Sequence, residues 1–142
     1  MTEAILSLER VSKTYPSTNG ELAILREVNL ELGAGESLAI IGPSGSGKST
    51  LLNIIGSLDR PSSGKVRLAG QDVTSLDELA LADVRNRQIG FVFQGHHLLP
   101  QCSVLENVLV PTLASQDRGK RAAAPERARK LLDRVGLGAR LD

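Results

Sequence analysis

At residues 42–50 the chain reads Gly42-Pro43-Ser44-Gly45-Ser46-Gly47-Lys48-Ser49-Thr50. The spacing of Gly, four residues, Gly, Lys and Ser/Thr is typical of loops that hold phosphate groups. Glycines let successive backbone N–H groups curl around an anion, and a helix that starts after the loop favours negative charge at its N-terminus. The stretch therefore predicts that the chain binds a nucleotide through its phosphates.

Both flanks of this loop support the prediction. Residues 37–41 form a short apolar run, which predicts a buried parallel strand. Apolar side chains recur at helical spacing after the loop, at Leu51, Leu52, Ile54, Ile55 and Leu58. In this context Lys48 would contact the β- and γ-phosphates, the Ser49 hydroxyl would ligate Mg²⁺ and Thr50 would support the first helical turn. The alternative is a glycine-rich turn without a ligand, and both flanks count against it.

The composition indicates one globular domain in a reducing compartment. The 142 residues are 41% hydrophobic, and the net charge of +1 is spread among interspersed acids and bases, so no nucleic-acid partner is expected. The single Cys102 cannot form an internal disulfide, which agrees with a cytosolic location. The start Met1-Thr2-Glu3-Ala4 does not resemble an export signal, and no stretch is long enough to span a bilayer.

The residues before the loop predict an antiparallel pair of strands. Residues 4–11 and 23–32 carry the strand patterns, and the turn-rich residues 12–20 between them predict a loop. Tyr15 falls in that predicted loop, where its ring could stack on an adenine whose phosphates occupy the glycine loop. The alternative for an isolated tyrosine is an ordinary packing role.

The residues after the first helix continue the alternation of strands and helices. The predicted strands cover residues 65–70 and 89–93, and the predicted helices cover residues 74–87, residues 104–110 after a Ser103 cap, and a segment from Pro125 to Gly136. Gln94 follows a predicted strand end, where its amide could reach Mg²⁺ or an attacking water. The alternative is a solvated loop residue. The pair His96-His97 has no further metal ligands nearby in the sequence, so we do not expect a metal site there.

Taken together, these motifs resemble the ATP-binding subunits of ABC transporters. Tyr15, the loop at residues 42–50 and Phe91-Val92-Phe93-Gln94 occur in the family's order and spacing, and the resemblance covers nearly the whole chain. Residues 95–111 are similar to the branch that serves lipoprotein release and macrolide-type export. The resemblance implies an α/β fold: a P-loop NTPase core with an N-terminal antiparallel β layer over about residues 1–94, followed by the start of a helical subdomain over about residues 95–142.

The resemblance also implies a function. It implies an ATPase that uses ATP and Mg²⁺, pairs head-to-tail with an identical or related ATPase subunit, and drives an integral membrane permease from the cytoplasmic face of the membrane. Tyr15 matches the adenine-stacking aromatic, Gly42 to Thr50 match the Walker A loop, and Lys48 and Gln94 match the catalytic positions. Ser49 and Gln94 match the Mg²⁺ contacts. Residues 95–111 match the segment on which the permease docks.

The chain departs from the family pattern only after the segment Val135 to Asp142, which still resembles the family. The family continues with a Ser-Gly-Gly-Gln signature, an apolar strand ending in Asp-Glu and a switch histidine, and the 142 residues contain none of these motifs. Glu106 and Asp133 do not replace the missing acid, because both lie in helical patterns. We therefore expect a truncated, incomplete ABC ATPase domain that binds nucleotide at most weakly and is inactive or nearly so by itself.

Three other functions remain as alternatives. A small GTPase is disfavoured because the chain has no Asn-Lys-x-Asp motif. A nucleotide kinase is disfavoured because Arg118 and Arg121 lie in an unpatterned loop and not in an arginine-rich lid. A non-hydrolysing nucleotide-binding interaction module, or an inactive fragment, is the remaining alternative, and the missing motifs keep it open.

Overall fold

The computed structural model describes residues 4–18, 20–115 and 117–141. The chain divides into two compact units, Met1–Arg85 and Asn86–Asp142. The expectation about an export signal falls largely on residues 1–3, and part of the predicted 12–20 loop falls on Asn19; both lie outside the described residues. The division of the domain near residue 94 stays a prediction.

The first unit contains a four-stranded sheet. Its strands are β1 (Ala4–Ser17), β2 (Gly20–Gly33), β3 (Ser63–Leu68) and β4 (Gln71–Asp72), arranged in the order β2-β1-β3-β4. Each neighbouring pair is antiparallel. Together with the helices described below, the sheet confirms the α/β class and the predicted N-terminal antiparallel layer.

The first hairpin is longer than the sequence predicts. β1 continues to Ser17 and places Tyr15 opposite Leu22 of β2, so the prediction of a loop in this region was wrong. Polar residues near the tip of this hairpin hydrogen-bond to the segment that follows the first helix. The Thr14 N–H donates to Ser62 Oγ at 3.0 Å, and the Ser62 N–H donates to the Ser12 carbonyl at 2.8 Å.

One helix lies in the first unit, and a second begins in it and ends three residues beyond Arg85. They are α1 (Lys48–Ile55) and α2 (Glu78–Gln88). In α2, Leu81 and Val84 are buried, whereas Leu79 is exposed. The buried apolar side chains of this unit are Leu6, Leu8, Val11, Leu25, Ile54, Val66, Val73, Leu81 and Val84. This core supports the sheet and the helix that follows the glycine loop.

Two predicted strands do not form. Residues 37–41 and residues 89–93 carry no strand, and Ile41 and Val92 are almost completely exposed. A strand needs a neighbour for its backbone N–H and C=O groups. No strand among the described residues pairs with either segment. The predictions of buried strands at these positions were therefore wrong.

The second unit is helical. It contains α3 (Val104–Leu109), a 3₁₀ turn (Val110–Ala114) and α4 (Arg118–Arg134). Ser103 caps α3 as predicted: its Oγ accepts from the Glu106 N–H at 3.2 Å, and Glu106 Oε2 accepts from the Ser103 N–H at 2.8 Å.

The fourth helix begins earlier than predicted. Asp117 caps α4 by accepting from the Lys120 N–H at 3.0 Å, so Pro125 lies inside the helix and does not open it. Gly136 follows the helix with φ 77, which confirms the predicted stop. Ala124, Ala128 and Leu132 are buried, whereas Leu131 and Val135 are exposed. Among the described residues, no helix is both long and apolar enough to cross a bilayer.

Close packing of β1 against β3 gives a test of this sheet. A Cβ added at Gly64, where φ is +89, would lie 2.3 Å from the Arg10 carbonyl oxygen. Gly35, where φ is +81, has open space around the same position. We expect Gly35→Ala to lower the free energy of unfolding by about 1–2 kcal/mol through backbone strain alone. Gly64→Ala should cost about 2 kcal/mol more, because β1 must move.

Urea denaturation of both variants measures this difference. Equal losses for Gly64→Ala and Gly35→Ala would contradict the described packing of β1 over Gly64.

Candidate functional site

The glycine loop leads directly into α1. Gly47 is the N-cap with φ 87, and α1 begins at Lys48. No side chain caps this helix, and its first turn contains no acidic residue. The N-terminus of α1 therefore offers its uncapped backbone N–H groups and the positive end of its dipole to an anion.

The loop packs closely against the first hairpin at Gly47. A Cβ added there would lie 3.0 Å from Ile24 Cγ2 and 3.1 Å from the Ile24 carbonyl oxygen on β2. The position therefore needs glycine both for its positive φ and for this contact. As a result, the start of α1 is held beside β2.

The Lys48 side chain turns back over the loop. Its Nζ donates to the carbonyl oxygens of Gly42 at 2.9 Å and Pro43 at 2.6 Å. Residues 42–46 are exposed. The ammonium group thus lies on the accessible loop, although Lys48 is the first residue of the uncapped helix. The donors and the charge that a phosphate group requires are close together in the chain.

Tyr15 lies near the same helix. It is 36% exposed, and its hydroxyl donates to Asp59 Oδ2 at 2.6 Å. Asp59 raises the pKa of this hydroxyl, and Thr50 in the first turn of α1 partly offsets that rise. The fold thus brings the predicted base-stacking residue to the helix that begins at the predicted phosphate loop. Base stacking itself stays a prediction.

Asp59 is the centre of a small polar cluster. Its Oδ1 accepts from Lys13 Nζ at 2.6 Å and from the Arg60 N–H at 2.7 Å, and its Oδ2 accepts from Tyr15. Partial burial opposes ionisation of Asp59, but these donors outweigh it and lower the pKa of the carboxyl group. The hydrogen bond to Asp59, with desolvation and the carboxylate charge, raises the pKa of Tyr15.

The sequence interpretation missed two members of this cluster, Lys13 and Asp59. One weak signal existed: Lys13 and Tyr15 are two residues apart, so they point to the same side of a strand. Asp59 carries no comparable signal, because it lies 46 residues from Lys13 and belongs to a turn. Only the docking of the hairpin on the end of α1 brings them together.

Gln94 belongs to the second unit. It is exposed and lies outside any helix or strand. Nearby, the rings of Phe91 and Phe93 stack with centroids 5.3 Å apart, and the His97 ring meets Phe93 edge-on at 4.7 Å. His97 therefore packs against an aromatic ring. Over the described residues, no group of three or more His, Cys, Asp or Glu side chains could hold a metal ion. The predicted role of Gln94 stays a prediction.

A glycine loop at an uncapped helix start, beside an antiparallel sheet, is the arrangement expected of a phosphate-binding class of protein, and comparison with known proteins gives the family. The ABC transporter family model matches residues 25–142. The chain belongs to the ABC transporter family.

Curated relatives agree with this assignment. The chain is 53% identical over 137 residues to the lipoprotein-releasing system ATP-binding protein LolD 1 of Rhodopirellula baltica, covering 96% of this chain and 58% of that protein. It is 49% identical over 140 residues to the macrolide export ATP-binding/permease protein MacB of Salmonella typhimurium, covering 98% of this chain and 21% of that protein. The chain thus spans less than two thirds of the length of these relatives.

Solved structures show the same fold. The ATP-binding cassette MJ0796, in a dimeric post-hydrolysis state bound to ADP and Pi, superposes with a TM-score of 0.85 at 39% identity. The match covers 96% of this chain and 59% of the cassette. The antiparallel sheet and the helices of this chain therefore belong to the cassette fold.

The charge on Asp59 gives a testable pH dependence. Because the folded-state pKa is lowered, the stabilisation is complete above the unfolded value of about 4 and is lost as the pH falls through the folded value. Asp59→Asn resembles the protonated side chain. We expect this variant to be less stable than wild type by about 1–2 kcal/mol at pH 7, with the difference shrinking as the pH falls below about 4 and through the folded-state value.

Urea denaturation at two pH values, pH 7 and an acidic pH below about 4, tests this expectation. Glu126→Gln is the control, because it removes only an exposed ion pair with Lys130 and should change stability by a few tenths of a kcal/mol. A stability difference for Asp59→Asn that is the same at both pH values would contradict the role of the carboxylate charge.

Proposed function

We propose that this chain is the nucleotide-binding part of an ABC transporter ATPase, in which ATP binding and hydrolysis are coupled to transmembrane export. The observation that carries the proposal is the exposed glycine loop, with the Lys48 ammonium over it and the uncapped start of α1 behind it. Family membership and the similarity to LolD and MacB support it. Because the chain covers only part of those relatives, we propose the ATPase activity for this chain on the basis of its own glycine loop and its family.

In this proposal the loop Gly42 to Thr50 holds the phosphate groups of ATP. Backbone N–H groups of the loop and of the first turn of α1 donate to phosphate oxygens, and Lys48 leaves the carbonyl oxygens of Gly42 and Pro43 to neutralise phosphate charge. The Ser49 hydroxyl, exposed in the first helical turn, fits a Mg²⁺ ligand. When bound, Mg²⁺ would neutralise charge that develops on the phosphates.

Tyr15 is proposed to stack on the adenine base. Its ring is partly exposed, and its hydroxyl lies near the first turn of α1. Gln94 is proposed to link Mg²⁺ and the attacking water to the permease, as the Q-loop glutamine does in the family. Its exposure leaves the side-chain amide available for such contacts.

We propose that hydrolysis needs a catalytic acid that these 142 residues do not contain. Glu106 is engaged in the cap of α3, and Asp133 lies in α4, so neither ends a strand as the catalytic acid of the family does. We propose that these 142 residues by themselves bind nucleotide with little or no turnover. In a complete transporter, the proposed partners are a second ATPase subunit and an integral membrane permease, with the ATPase on the cytoplasmic face.

The permease is proposed to dock on the segment from Gly95 to Pro111. Its exposed apolar side chains include Leu98 and Leu99. Contiguous exposed apolar patches, unlike single exposed apolar residues, mark interaction sites.

A double charge substitution tests the docking proposal. We expect Leu98→Asp combined with Leu99→Asp to reduce binding of the chain to its permease at least tenfold. The control is Leu131→Asp on α4, at a leucine with 43% exposure against 40% for Leu99. Binding that is equally strong for the double variant and the control would contradict docking at this segment. Copurification from detergent-solubilised membranes is the measurement.

Removal of the loop lysine tests nucleotide binding. We expect Lys48→Ala to weaken Mg²⁺·ATP binding about 10- to 100-fold, because charge-assisted hydrogen bonds contribute about 1.5–3 kcal/mol. Lys130→Ala removes the same charge from an exposed pair and should bind like wild type. Isothermal titration at fixed salt measures both, and GTP in place of ATP tests the GTPase alternative.

Unchanged ATP affinity in Lys48→Ala would contradict the proposal for the loop. Phosphate release measured in the same samples tests turnover. A rate comparable to that of an intact ABC ATPase would contradict the proposal that these residues need further parts of the domain.

A further inference from the structure

Lys13, Tyr15 and Asp59 form a connected cluster beside α1. Lys13 Nζ bonds to Asp59 Oδ1 and to the Arg60 carbonyl oxygen, each at 2.6 Å, and the Tyr15 hydroxyl bonds to Asp59 Oδ2 at 2.6 Å. The Asp59 carboxylate therefore accepts from a cation at Oδ1 and from a phenol at Oδ2.

The Lys13 ammonium also lies over the Tyr15 ring. The distance from Nζ to the ring centroid is 4.8 Å, within the range of a cation–π interaction. The Lys13 side chain is only 12% exposed, whereas the Tyr15 residue is 36% exposed. Lys13 thus lies over one face of the ring and is anchored there by two bonds.

The two contacts together fix the orientation of the ring. A tyrosine held only at its Cα can rotate about two side-chain bonds, and a ligand that stacks on it must stop this rotation. The hydroxyl bond to Asp59 restrains the tip of Tyr15, and Lys13 restrains its face. The ring is thus ordered by residues that are on β1 and on the turn after α1.

We propose that Lys13 and Asp59 are positioning residues for the nucleotide base, which hold Tyr15 as a stacking surface with a single open face for a purine. This inference rests on the proposed function, in which Tyr15 stacks on the base and the glycine loop holds the phosphates. Lys13 fills one face, so a base stacks on the other. Order imposed before binding reduces the entropy lost when the base stacks.

The composition of the chain makes the cluster easy to observe. Tyr15 is the single tyrosine and the sequence contains no tryptophan, so tyrosine fluorescence reports on this ring alone. Ionisation of the phenol is likewise visible by ultraviolet absorbance without background from other tyrosines. We expect the pKa of Tyr15 to lie above its usual value in the wild-type chain and to fall towards that value in Asp59→Asn.

The test compares binding of ATP with binding of tripolyphosphate, which reaches the loop but has no base. We expect Asp59→Asn and Lys13→Met each to weaken ATP binding about three- to tenfold and to leave tripolyphosphate binding unchanged. Lys13→Arg, which keeps the cation, should retain most of the ATP affinity. Lys65→Met, on β3, is the control for loss of a lysine and should match wild type for both ligands.

The outcomes separate this proposal from the proposed function. Wild-type ATP affinity in Asp59→Asn and Lys13→Met would overturn the positioning role, as would equal losses for ATP and tripolyphosphate, which indicate a structural role only. If Lys48→Ala binds ATP as wild type does, the proposed function itself fails. Should Asp59→Asn not fold by circular dichroism, Tyr15→Phe keeps the ring without the Asp59 bond and should show the same selective loss for ATP.

Discussion

The Asp59 carboxylate connects the first hairpin to the end of α1. Through Lys13 and Tyr15 it bonds to β1, and through the Arg60 N–H it shapes the turn in which it lies. Bonds between Thr14 and Ser62 reinforce the same junction. Because residues 46 positions apart meet here, the position of Tyr15 relative to α1 depends on this contact.

The close contact at Gly47 acts on the other end of α1. There the helix start packs on Ile24 of β2 without room for a side chain. The hairpin therefore touches the helix near both of its ends, once through apolar packing and once through a charged cluster. A phosphate loop functions through backbone N–H groups, whose directions depend on how rigidly the following helix is held. The antiparallel layer supplies that support.

Whether a prediction agreed with the structure depended on how far apart in the sequence the interacting residues lie. Local signals succeeded: the Ser103 cap, the stop at Gly136 and the hairpin pairing all depend on residues close in sequence. The strand at residues 37–41 failed although its apolar pattern was clear, because a strand requires a neighbour to pair with and the described residues supply none. The predicted helix start at Pro125 was wrong because the Asp117 cap starts α4 at Arg118, seven residues earlier.

By itself, the sequence determined the glycine loop, its lysine and the helix that follows, since that motif is contiguous and its chemistry depends on local backbone conformation. The resemblance to the ABC transporter family also came from sequence motifs, and the family model confirmed it. Tertiary structure alone decided that Tyr15 lies on a strand and that Lys13 and Asp59 surround it. The physical reason is that hydrogen bonds between distant segments leave no periodic trace in the sequence, whereas a loop built from consecutive residues does.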